Sequence, residues 1–104
     1  MSPMPVYKLR IPHYMVKFIR GLHPELKRKI KGSLKSLTAE PDAGKPLKDD
    51  LEGLRSIRVS RFRIMYRLVG SKEIQIVAIG PRASIYKETY RLLKKESKDI
   101  EGLK

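Results

Sequence analysis

Residues 54–68, LRSIRVSRFRIMYRL, hold five arginines (Arg55, Arg58, Arg61, Arg63 and Arg67) among side chains suited to a hydrophobic core. Strand periodicity sorts them onto faces. Phe62, Ile64, Tyr66 and Leu68 alternate with Arg63, Met65 and Arg67, while Ile57 and Val59 alternate with Ser56 and Arg58. The pattern predicts two strands joined by a turn near Ser60-Arg61, with one apolar face. The other face, expected to be an uncovered sheet surface, carries Arg58 and Arg63. No acid lies between Glu52 and Glu73 to neutralise these guanidinium groups locally.

Reading outward, a third strand is expected over 73–80 after a turn near Gly70-Ser71, completing a meander that starts near residue 53. Upstream, AEPDAGKPLKDD (39–50) is punctuated by Pro41, Gly44 and Pro46 and reads as a loop. Before it, Leu26, Ile30, Leu34 and Leu37 recur at helical spacing behind Pro24, which suits the first turn of a helix. Met15, Phe18, Ile19 and Leu22 form a shorter stripe, so the two segments predict a helical hairpin. VYKLRI (6–11) alternates as a strand stopped by Pro12. RASIYKETYRLLKKESK (82–98) is helical, with Ser84 the expected N-cap and Tyr90 an expected core residue. The order β-α-α-β-β-β-α predicts an α+β domain: an antiparallel sheet with an N-terminal helical hairpin and a C-terminal helix. Residues 1–104 read as one domain with frayed ends at 1–5 and 99–104.

The chain carries 24 Lys+Arg against 11 Asp+Glu, a formal charge of +13. An imbalance of that sign favours nucleic acid or acidic proteins as partners. There is no cysteine, which removes disulfides, thiol nucleophiles and thiolate metal sites. The two histidines, His13 and His23, lack metal-ligand spacing and suit surface or capping roles, so neither a metal nor a cofactor is expected. The longest apolar run, IQIVAIG at 74–80, is too short to cross a bilayer, and no signal-peptide core is present. A cytoplasmic protein without a membrane partner is the expectation.

Arg82 falls where the last strand meets the last helix, and Tyr86 follows one helical turn later. Arg58, Arg63, Arg82 and Tyr86 can therefore rim one concave site. Guanidinium forks hold phosphate oxygens bidentately and stabilise charge that develops on phosphorus. A tyrosine can stack on a base or exchange a proton. Arg61, in the turn, and Arg67 read most simply as solvated edge residues that discourage aggregation.

GKPLKDDLEGLRSIRVSRFRIMYRL (44–68) followed by IVAIGPRASIYK (76–87) resembles the RelE/ParE toxin superfamily, and within it the RelE-like branch of mRNA interferases. The family pattern is G-x-P-L-x-x-x-L-x-G-x-x-x-x-R-V, then Y/F-R-I-x-Y, then an arginine beyond the last strand. The resemblance implies the toxin of a type II toxin–antitoxin pair: a metal-independent endoribonuclease that enters the ribosomal A site and cleaves mRNA by 2′-hydroxyl attack. It implies a cognate acidic RelB-like antitoxin, with the ribosome and mRNA as further partners. Carried over by position, Arg63, Arg82 and Tyr86 are the catalytic residues and Arg58 is a substrate-phosphate contact; Arg55, Arg61, Lys45 and Lys48 are expected as further RNA contacts. The chain departs from the pattern where some members carry paired lysines, since it reads Arg55, Ser56, Arg58 there. It also lacks the C-terminal histidine of others, so no general base is assigned. The competing expectations are a ParE-like gyrase-inhibiting toxin and a non-catalytic RNA- or ribosome-binding module.

Overall fold

In the computed structural model, residues 7–101 are described, with side chains through residue 96. The ends expected to fray at 1–5 and 99–104 lie largely outside that range. The elements are β1 (Lys8–Arg10), α1 (His13–Arg20), α2 (Pro24–Ala39), β2 (Lys45–Pro46), a 3-10 turn (Asp49–Leu51), β3 (Arg55–Val59), β4 (Phe62–Val69), β5 (Glu73–Pro81) and α3 (Arg82–Glu101). They build an α+β domain around one five-stranded sheet of order β1-β5-β4-β3-β2.

The β3-β4-β5 meander pairs antiparallel as its alternation predicts, with Ile57 opposite Ile64 and Val59 opposite Phe62. The sheet is not wholly antiparallel, however, because β1 joins β5 in parallel. The connection explains this. α2 has 16 residues, about 24 Å of helix, enough to carry the chain across one sheet face from β1 to the far edge. It touches both β1 and β3 on the way. The segment read as loop adds the two-residue edge strand β2, pairing Lys45 with Ser56. Pro46 is tolerated there because an edge strand needs no donor on its open side.

α1 and α2 close one face over the main core: Met15, Ile19, Ile30, Leu34 and Leu37 against Val59, Ile64, Tyr66, Ile74, Ile76 and Ile79. Each such side chain contributes about 1.5–3 kcal/mol by leaving water. His23 caps α2, its Nδ1 accepting from the Glu25 N–H at 3.3 Å, and Pro24 takes the first helical position. Leu68, expected in the core, is exposed near the outer end of β4. The last strand ends not in a loop but directly in α3, so Ser84 is inside the helix and caps nothing. The Arg82 N–H instead donates to the Arg61 carbonyl at 3.0 Å, satisfying one of the donors every helix start leaves free.

The second sheet face is not uncovered. Ile85 of α3 packs on Met65 and Ala78, with Leu47 and Val77 at the margin. A register shift in the β4–β5 pairing between Met65 and Tyr66 lets Ile76 and Ile79 both serve the main core while Ala78 faces α3. Gly80 lies under Ile85, where a Cβ would come to 3.0 Å of its Cδ1.

Candidate nucleic-acid interface

On antiparallel strands, directly opposed residues share a face. Arg58 on β3 opposes Arg63 on β4, and Arg63 in turn opposes Gly80 on β5. Both side chains thus leave the sheet on the face that carries α3, next to a position without a side chain. Arg58 is exposed, with its Nε donating to the Ser60 carbonyl at 3.1 Å. Arg63 is half-buried; its Nη1 donates to Ser56 Oγ at 3.1 Å. Its Nε is buried and has no hydrogen-bond partner among the described residues. A desolvated cationic donor left unsatisfied costs more than an ordinary hydrogen bond is worth, and native proteins rarely keep one without a use.

Arg82 reaches the same end of the sheet. The bond from its N–H to the Arg61 carbonyl ties the start of α3 to the β3–β4 turn, leaving Arg61 and Arg82 both exposed there. Tyr86, one turn along α3, is 38% exposed. On the other flank, Lys45 opposes Ser56 and so lies on this face, and Lys48 precedes the 3-10 turn; both are exposed. Lys45, Arg58 and Arg63 therefore share the face that carries Arg82 and Tyr86 on α3, whereas Arg61 lines a cavity with His23, Leu26 and Lys29 of the α2 side.

Arg55 does not join them. It opposes Tyr66 and so belongs to the other face, where Nη1 donates to the Gly44 carbonyl at 2.8 Å and Nη2 lies 3.8 Å from Asp42. Arg67 is not a solvated edge residue either. Its Nε donates to Gln75 Oε1 at 2.7 Å, and its Nη2 pairs with Glu96 at 3.1 Å. That acid is far away in sequence, so inspection of neighbouring residues could not find it.

A second motif residue pair has a positioning role that sequence reasoning missed. The fully buried Tyr66 hydroxyl accepts from the Gly44 N–H and donates to the Pro41 carbonyl, both at 2.8 Å. A Cβ on Gly44 would overlap the Tyr66 ring and hydroxyl. Burial pushes the Tyr66 hydroxyl pKa above its ordinary value, against the opposing effects of the Gly44 N–H and Arg55. The clamp fixes residues 41–44 and hence the strand that carries Lys45. The signal was present, since both residues stand in the quoted motif.

Tyr90, expected in the core, is 38% exposed. Ile85 and Thr89 take the buried stripe of α3, Thr89 Oγ1 donating to the Ile85 carbonyl at 2.6 Å. Tyr86 and Tyr90, four residues apart, fall on the adjacent stripe.

The model of the ParE toxin of type II toxin–antitoxin systems (parDE) matches residues 9–86. No curated protein matches the chain. Among solved structures, the fold is similar to the toxin–antitoxin complex RelBE2 of Mycobacterium tuberculosis, at 26% identity and TM-score 0.65 over 80% of this chain and 99% of that one. It is similar to a double-arginine mutant of the Escherichia coli toxin RelE in the free state, at 23% identity and TM-score 0.66 over 88% and 97%. The archaeal RelE–RelB complex of Pyrococcus horikoshii OT3 gives 24% identity and TM-score 0.61 over 74% and 96%. With the family model spanning β1 to the first turn of α3 on a RelE-like fold, the chain belongs to the ParE toxin family, within the RelE/ParE superfamily of toxin–antitoxin toxins.

Proposed function

We propose that this toxin is a ribosome-dependent endoribonuclease that cleaves mRNA in the ribosomal A site and is neutralised by an acidic, RelB-like antitoxin in the cytoplasm. The observation that carries the reading is the buried Nε of Arg63, unpartnered among the described residues, at a strand position directly opposed to Arg58. A target held by protein contact alone does not call for such a pair. A phosphodiester does.

In this reading Arg58 and Arg63 grip the scissile phosphate and Arg82 closes on it from the start of α3. The ribose 2′-hydroxyl gives its proton to solvent as its oxygen attacks the adjacent phosphorus, the bond to the 5′-oxygen breaks, and that oxygen takes a proton from solvent, leaving a 2′,3′-cyclic phosphate and a 5′-hydroxyl. The arginines remain protonated throughout and act by charge and geometry rather than by proton transfer. Tyr86 stacks on a neighbouring base. Lys45, Lys48 and Arg61 hold the flanking backbone. The +13 charge supports both the RNA substrate and an acidic antitoxin.

The match to the ParE family model favours a second reading, a gyrase-inhibiting toxin that acts by protein contact. Mapping new mRNA ends after incubation with programmed ribosomes separates the two. Codon-phased cleavage supports the nuclease. Absence of cleavage together with trapped gyrase–DNA complexes supports the alternative, and neither activity leaves a non-catalytic RNA-binding module.

A further inference from the structure

The stripe of α3 beginning at Arg82 contains Tyr86, Tyr90 and Lys94 at successive four-residue intervals. Each step advances about 6 Å along the helix. Both tyrosines are 38% exposed, and the Lys94 ammonium lies 5.5 Å from the centroid of the Tyr90 ring. The adjacent stripe of the helix is anchored by Ile85 and Thr89, fully buried, so the two tyrosines flank the packed side and keep part of each ring open to solvent. Its acids are elsewhere: Glu96 is engaged by Arg67, and Glu88 lies over Gly80 beside Ile85. The stripe thus sets two rings between two cations and contains no carboxylate at these four positions.

We propose that this stripe is a track for single-stranded RNA, with Tyr90 a second stacking platform and Lys94 a backbone contact, leading substrate away from the arginine site. The inference rests on the phosphate-site reading above and extends it by one nucleotide step along α3. Stacking suits the chemistry because each base presents a π-face whatever its sequence. The Lys94 cation over one face of the Tyr90 ring is placed to meet the phosphate that follows a base stacked on the other face. An acidic antitoxin segment would match the charge as well, but two rings flanked by cations suit stacked bases and their phosphates.

The test is binding of the full-length protein to fluorescein-labelled oligouridylate long enough to reach Tyr90, with a dinucleotide as control, followed by anisotropy. Tyr90→Ala should weaken the long oligomer on the order of tenfold and leave the dinucleotide unchanged. Tyr90→Phe should bind like wild type, because the ring and not the hydroxyl stacks. Lys94→Gln should lower the slope of log affinity against log salt by about one. Circular dichroism confirms folding, which the exposure of both residues favours. Unchanged oligomer binding by Tyr90→Ala, equal loss on both ligands, no oligomer binding by wild type, or a loss confined to the acidic antitoxin would each overturn the track. Tyr90-dependent binding without cleavage on ribosomes would leave the track standing and remove the nuclease reading. Cleavage without Tyr90 dependence would do the reverse.

Discussion

Arg58 and Arg63 face each other across the β3–β4 ladder, two like charges at directly opposed positions. Opposed like charges destabilise a strand pair by a few tenths of a kcal/mol to about 1 kcal/mol. The fold carries this penalty at the turn-proximal end of the hairpin, where β-branched pairs would serve stability better. Arg58→Thr should therefore raise unfolding free energy by about 0.5 kcal/mol while reducing mRNA cleavage. Urea unfolding and a cleavage assay on the same preparation would show the trade. A variant both less stable and fully active would contradict it.

The Gly44–Tyr66 clamp predicts an asymmetric pair of variants. Gly44→Ala drives a methyl into the Tyr66 ring and hydroxyl and should cost about 2–3 kcal/mol. Tyr66→Phe leaves the Gly44 N–H and Pro41 carbonyl without their partner and should cost about 1–2 kcal/mol. Gly44→Ala in the Tyr66→Phe background should lose less than the sum, because the hydroxyl is no longer in the way. Strict additivity would argue against direct contact.

The same hydroxyl sets an alkaline limit. Its folded pKa is raised by burial, so above about pH 10 the unfolded chain releases this proton while the folded chain keeps it. Stability is then fully present below pH 10 and is lost as pH rises towards the folded pKa. Of the five tyrosines, one should titrate late in the phenolate absorbance. Tyr66→Phe should remove that late component and flatten the alkaline loss of stability. A late phase that survives in Tyr66→Phe would reassign it.

Ser60, in the β3–β4 turn, has φ of 58°, a left-handed conformation that costs a residue with a Cβ about 1 kcal/mol. Ser60→Gly should stabilise the hairpin by roughly 0.5–1 kcal/mol without altering the Arg61 carbonyl that receives the Arg82 N–H. Thermal unfolding at fixed pH would read the gain, and a loss of stability would show that the serine side chain has a role of its own.

The meander was legible because alternation at residues 55–68 is strict and each face has a consistent chemistry. Pro24, His23 and the apolar stripe of α2 were legible for the same local reason. Failures came where a partner is distant in the chain. Arg67 finds Glu96, and Arg55 finds Gly44 and Asp42, through the fold rather than through neighbouring residues. The parallel β1–β5 pairing depends on where a two-helix connection lands, which periodicity does not encode. Tyr90 was misassigned because two adjacent stripes of α3 have similar residues, and only the packing of Ile85 and Thr89 decides which one is buried. The arginine cluster was legible as a composition but not as a geometry: that Arg63 bonds Ser56 through Nη1 while its Nε is buried emerges only in the folded chain.

The central claim is that the guanidinium of Arg63, held by Ser56 and with its Nε left free, stabilises charge on a cleaving phosphodiester together with Arg82. Single-turnover mRNA cleavage on programmed ribosomes, read by primer extension, tests it directly with Arg63→Ala and Arg82→Ala beside wild type. Losing one preorganised donor should cost roughly 3 kcal/mol, on the order of a hundredfold in rate, for each variant, with circular dichroism unchanged and Arg67→Ala much less affected. Wild-type rates from folded Arg63→Ala and Arg82→Ala protein would contradict the site, and no cleavage by wild type would contradict the nuclease.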